Sequence, residues 1–164
     1  YNIITLAWCG TICSEPPMCY VSIRRERHSY DIIKRNMEFV INLTSKELCA
    51  ITDWCGVRSG RKYNKFQTMD ITPLPADKVK APLIAESPLN IECKVKDIIP
   101  LGSHDMFIAD VLAVHANEEL LNKKSNLLNL ERADLVSYSH GNYYCLGQKI
   151  GKFGFSVEKG KSKK

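Results

Sequence analysis

Leu89-Asn90-Ile91-Glu92-Cys93-Lys94-Val95-Lys96-Asp97-Ile98 alternates apolar with polar side chains. That is the period of a strand with one buried face. Leu101-Gly102-Ser103-His104-Asp105 turns the chain back, and Met106 to Val114 returns as an apolar partner strand. Outward from this hairpin, Glu38 to Leu43 has a buried-strand pattern. Earlier still, Ile3 to Trp8 and Met18 to Ile23 read as two strands joined at Pro16-Pro17, which cannot donate to a central ladder. Leu135 to Tyr138 is a last short strand. Two helices are expected between strands. Ser29 offers an N-cap for one, with Tyr30, Ile33 and Met37 on one side. Thr44-Ser45-Lys46-Glu47 is a capping box for the other, with Leu48, Ile51 and Cys55 facing inward. Pro73, Pro75, Pro82 and Pro88 break residues 70–88 into an extended surface stretch. Gly147, Gly151 and Gly154 argue against a regular helix near the end. The expected fold is mainly β with short helices, and meandering strands suit a small barrel because closure removes sheet edges.

The chain has 164 residues, 45% of them hydrophobic, with a mean hydropathy of −0.20. This is one domain's worth, long enough for a real core. One domain is expected over residues 1–158, with no repeat or linker inside it. The composition excludes collagen-like, disordered and coiled-coil classes. No apolar run approaches the ~20 residues that span a bilayer, so no membrane association is expected. The start, YNIITLAWCG, lacks the features of a signal peptide, and lacks an initiator Met as a trimmed chain would.

The net charge of +5 overstates the basicity of the body. Four of the 23 basic residues are Lys159, Lys161, Lys163 and Lys164, which leaves 19 against 18 acidic groups in residues 1–158. The 159–164 tail is expected to be a solvated, disordered end. A nucleic-acid partner is not expected, because a binding face should lie on the folded body. Two local patches remain. Arg24, Arg25 and Arg27 cluster with Glu26, and Arg58, Arg61, Lys62 and Lys65 cluster with no acid. Such patches suit a small phosphorylated ligand better than an extended backbone. The glycine-bearing loop Gly56–Lys65 could surround an anion with N–H groups and cations, or be an ordinary solvated loop.

Seven cysteines, an odd number without a signal peptide, point to a reducing compartment and a cytoplasmic protein. No C-x-x-C pair occurs, so no metal site is expected, and the thiols read as small buried hydrophobes. Signatures of serine hydrolases, zinc peptidases, P-loops and dinucleotide folds are all absent. His104 beside Asp105 at a turn reads as a residue satisfying backbone rather than a catalyst. No catalytic side chain is assigned.

An ordered set of short motifs resembles the flavoredoxin-type flavin reductases. It starts with Asn2-Ile3-Ile4-Thr5-Leu6-Ala7-Trp8-Cys9-Gly10 and continues through Pro16-Pro17, Val21-Ser22-Ile23-Arg24 and Arg27 with Ser29. Glu38 to Asn42, Asp53 with Cys55-Gly56, Ser59-Gly60-Arg61 and Lys65-Phe66 follow in order. Ala81 to Ile84, Gly102 to Asp105, Leu146-Gly147 and Gly151 with Phe153-Gly154 complete the set. The resemblance implies an FMN-binding split β-barrel, a homodimer, NADH or NADPH as electron donor, and a ferredoxin-like redox protein among the possible acceptors. It equally admits an FMN electron carrier without nicotinamide turnover. It also implies a further N-terminal strand that this chain lacks. For the FMN phosphate, Arg24, Arg27 and Ser29 form one candidate set, and Ser59, Gly60 and Lys65 the other. Thr5, Ala7, Trp8 and Cys9 would wall the isoalloxazine, although Trp8 equally suits a core position. Asn2 and Ser22 complete the implied cofactor-binding residues, while Arg25 and Lys62 are expected to be solvated.

Overall fold

The computed structural model describes residues 1–157. The expected basic tail at 159–164 lies outside the described residues. The hairpin of residues 89–116 is the spine of the molecule. Strands β6 (Leu89–Leu101) and β7 (His104–Ala116) pair antiparallel from Leu89 opposite Ala116 to Leu101 opposite His104. They turn at Gly102, whose φ of +65° is costly for a residue with a Cβ. On one side β7 pairs with β2 (Pro17–Ile23), which pairs with β1 (Cys9–Ser14). On the other side β6 pairs with β3 (Glu38–Asn42). The sheet order is therefore β1-β2-β7-β6-β3, antiparallel throughout.

The period-2 pattern selects the core. Cys19, Val21 and Ile23 of β2 face Ala109, Phe107 and Asp105 of β7, and all six are buried. Helix α1 (His28–Asn36) lays Tyr30 and Ile33 on this face, with the Tyr30 and Phe107 ring centroids 5.5 Å apart, edge to face. Phe39, Cys93 and Val95 complete the cluster. A bulge between Glu92 and Cys93 explains why two successive residues of β6 are both buried. The extra residue resets the alternation and bends the strand. Cys93 then faces the core, while Glu92 accepts backbone N–H donors from Asp77, Lys78 and Val79.

Helix α2 (Cys49–Val57), the short α3 (Lys65–Thr68) and the two-residue pair β4 (Pro73–Leu74) and β5 (Leu83–Ile84) build a smaller cluster around Phe66, Ile71 and Ile84. The final hairpin is β8 (Val136–Ser139) with β9 (Asn142–Cys145), tied to α2 by Tyr143 Oη donating to Asp53 Oδ1 at 3.0 Å.

Four local expectations are corrected. The first strand is Cys9–Ser14, not Ile3 to Trp8. Residues 3–6 are apolar on both sides because the segment lies between two clusters. Ile4 and Leu6 pack on the main core and Ile3 on the smaller one. Ser29 is not the N-cap of α1. Arg27 holds that backbone position, and the Ser29 hydroxyl accepts from Asn2 Nδ2 at 2.8 Å. The capping box at Thr44–Glu47 does not form: the Thr44 hydroxyl pairs with Thr52 Oγ1 at 3.2 Å, and α2 begins only at Cys49 with Leu48 in the N-cap position. Arg25 is not simply solvated: its guanidinium grips both carboxylate oxygens of buried Asp105, at 2.8–3.1 Å.

Candidate functional site

Six of the twelve implied cofactor-binding residues converge on one cavity of about 280 Å³. Asn2, Arg27, Ser29, Ser59, Gly60 and Lys65 line it, with Ile4, Glu26, His28, Cys55, Gly56 and Arg58. The cavity lies where the start of α1, the end of α2 and the 58–65 loop meet the N-terminal segment. The first N–H groups of a helix have no partner within it and favour an anion. Here α1 opens with His28 and Ser29 at the cavity wall.

The end of α2 shapes the opposite wall. Its last carbonyls also lack helical partners. Two cations take them. Lys65 Nζ donates to Cys55 O at 2.5 Å and to Ile3 O at 2.7 Å, and Arg27 Nη1 donates to Gly56 O at 3.2 Å. Lys65 is 4% exposed, and this burial pulls its pKa below the ordinary lysine value, an effect the Arg27 charge reinforces. The neighbouring Cys55 thiol is pushed up by the same burial. Gly60 closes the cavity by contact. A Cβ there would lie 2.1 Å from Asn2 Oδ1 and 2.8 Å from His28 Cδ2, so the loop backbone is the wall.

The other six residues lie away from that lining. Thr5 Oγ1 donates to Thr52 O at 2.5 Å and holds the N-terminal segment on α2. Ala7, Trp8 and Cys9 form an exposed ledge, and the Trp8 ring lies 4.4 Å from the His104 ring, centroid to centroid. Trp8 is thus not a core tryptophan. Ser22 N donates to Trp8 O at 3.0 Å, which fixes the ledge to β2. Arg24 is exposed and pairs with Glu26 at 3.5 Å. Glu26, His28 and Arg58 carry no motif that marked them as lining residues. The presence of Arg58 in the basic run was the one available signal.

Two other features lie outside this cavity. A second cavity, about 420 Å³, is lined by Tyr1, Asn64, Phe66, Gln67, Asp70, Ile71 and Pro73 and carries no cation for a phosphate. Asp77, Glu92 and His115 could group around a metal ion, a possibility no sequence spacing suggested. The Glu92 carboxylate is already saturated there. Its Oε1 takes Asp77 N and His115 Nε2, and its Oε2 takes Lys78 N and Val79 N. All seven cysteines are free thiols, of which Cys19, Cys55 and Cys93 are buried. No helix among the described residues is long and apolar enough to cross a membrane.

Comparison with known proteins places this geometry. The model of the flavin reductase like domain matches residues 1–144. Among solved structures, the flavoredoxin of Desulfovibrio vulgaris (Miyazaki F) superposes with a TM-score of 0.87 at 32% identity, over 96% of this chain and 85% of that one. A split-barrel-domain protein from Shewanella frigidimarina superposes at 0.83 with 19% identity, over 94% of this chain and 78% of that one, which shows the shared fold. An uncharacterized protein of Pyrococcus abyssi is 36% identical over 118 residues, 72% of this chain and 67% of that protein. The chain spans about two thirds of the length of the curated relatives it matches first. The fold is the split β-barrel, and the chain belongs to the flavin reductase-like family of flavin-binding redox proteins.

Proposed function

We propose that this domain holds FMN with its phosphate in the 280 Å³ cavity and reduces it with NADH or NADPH. The carrying observation is the cavity itself. Arg27, Arg58, Lys65 and Ser59 meet the start of α1 there, and the Gly60 backbone packs directly against Asn2 and His28 to close the wall. Cations, a hydroxyl and helix N–H groups are the donor set a dianionic phosphate needs. Bound FMN would supply the hydride and electron transfer; the protein supplies binding and orientation. Arg27 and Ser59 would grip the phosphate, while Asn2 and Lys65 hold the wall. The Ala7–Cys9 ledge, with Trp8 braced by His104, would border the flat ring. Exposed Tyr138, Tyr144, Leu146, Ile150 and Phe153 suit burial in a homodimer. Seven unpaired thiols suit a reducing cytoplasm.

A second reading is an electron carrier that passes electrons to a ferredoxin-like protein without nicotinamide turnover. The likeness to a flavoredoxin favours it. The visible spectrum of the purified protein, with the mass of any released ligand, tests the flavin reading. A colourless protein that takes up no added FMN overturns it. Steady-state NADH and NADPH oxidation with added FMN then separates reductase from carrier. Gel filtration tests the dimer.

A further inference from the structure

We infer that the second cavity, about 420 Å³, is a site for an organic cation, whose alkylammonium head is recognised by the Tyr1 and Phe66 rings and the Asp70 carboxylate. It is separate from the first cavity, with which it shares no lining residue. Asn2 and Lys65 line the first, and their chain neighbours Tyr1, Asn64 and Phe66 line the second. The volume suits a small-molecule ligand.

The lining is chemically one-sided. No Lys, Arg or His side chain belongs to it, and its one charged side chain is that of Asp70. Around that carboxylate lie Phe66, Ile71, Pro73, the Tyr1 ring and two carboxamides, Asn64 and Gln67. Phe66 and Ile71 are buried members of the smaller core cluster, so the floor is part of the packed interior. The Tyr1 and Phe66 rings meet edge to face, with centroids 6.4 Å apart. An aromatic face carries partial negative charge and attracts a cation, a quaternary ammonium above all.

Asp70 adds the full charge. It follows the last turn of α3 with a φ of +52°, in the left-handed region where Gly or Asn is the ordinary residue. An acid also fits poorly beside the last carbonyls of a helix, which already carry partial negative charge. Within the fold Asp70 gains nothing in return. Among the described residues its carboxylate accepts no hydrogen bond and forms no ion pair. A residue that breaks two local rules without an internal partner is expected where a ligand uses it.

Choline and its uncharged carbon isostere, 3,3-dimethyl-1-butanol, test the assignment. Titrations at constant ionic strength are read from the backbone amide NMR shifts of residues 64–71. Choline should shift these amides saturably and bind more tightly than the alcohol. Asp70→Asn, which suits the left-handed backbone, should weaken choline about fivefold and leave the alcohol unchanged. Tyr1→Leu should weaken choline about threefold, and Tyr1→Phe, which keeps the ring face, should not. Absence of a saturable choline shift overturns the inference, as do equal affinities for the two probes. Undiminished choline binding in Asp70→Asn, or equal loss of both probes there, overturns it as well.

Discussion

The ammonium of Lys65 lies 2.5 Å from the carbonyl oxygen of Cys55, ten residues earlier in the chain. Lys65 therefore caps the end of α2 and, through Ile3 O, staples the N-terminal segment to it. Lys65→Met should leave both carbonyls without this partner and cost about 1–3 kcal/mol of stability. Ser59→Ala, at an exposed position, should change stability by less than about 0.5 kcal/mol. Both should weaken FMN retention. Urea denaturation beside flavin titration separates the two roles: equal stability of both variants would contradict the staple.

Gly60 is needed for contact rather than for an unusual φ. A methyl group at this position must displace the Asn2 carboxamide and the His28 ring. Gly60→Ala should abolish tight FMN binding and lower stability by about 1–3 kcal/mol, as overpacking does. Retained flavin binding with an unchanged melting temperature would show that Asn2 can move aside freely.

Asp105 is 3% exposed and receives Arg25 in a fork and Tyr30 Oη at 2.5 Å. Arg25 first, and Tyr30 second, hold its carboxyl below the ordinary carboxylate value. A depressed carboxyl stabilises the fold above its unfolded pKa, near 3.9, and that contribution is lost as pH falls through the lower folded value. The melting temperatures of wild type and Asp105→Asn should therefore differ fully at pH 5–7 and converge below about pH 4. A constant difference across this range would show that the charge is not what matters.

Glu92 is fully buried. Burial pushes its carboxyl up, but the N–H donors of the 77–79 segment and His115 outweigh that and leave it lowered. Glu92→Gln places an amide NH2 against these donors. It should cost about 3 kcal/mol, the upper range for hydrogen bonds to a charged group. Hydrogen exchange at Asp77, Lys78 and Val79 should rise selectively. Unaltered exchange there would separate Glu92 from the anchoring of this segment.

Much of the sheet was legible in residue order. Periodicity places β2, β3, β6 and β7 within a residue or two, except that β6 and β7 run further at their ends, because burial alternation and β-branched content are local properties. The ordered motifs also pointed to the family that the comparisons show. What sequence could not carry were long-range partners. Ile3 to Trp8 has strand composition, yet Thr5 ties it to α2 and Ile3 to Lys65, and it reaches β2 by a backbone bond at Trp8. Ser29 has cap chemistry, yet Asn2 claims its hydroxyl.

The sequence by itself determined the class: a strand-rich domain with a nearly neutral body and a basic loop suited to a small phosphate. Only the tertiary structure decided which cations face the cavity with donors to spare. Every Arg or Lys in a basic run looks alike in sequence. Lys65 and Arg27 are partly used by the orphan carbonyls of α2, and Arg58 is held by an aromatic face. That division depends on where helix ends and ring planes meet in space, and no local pattern records it.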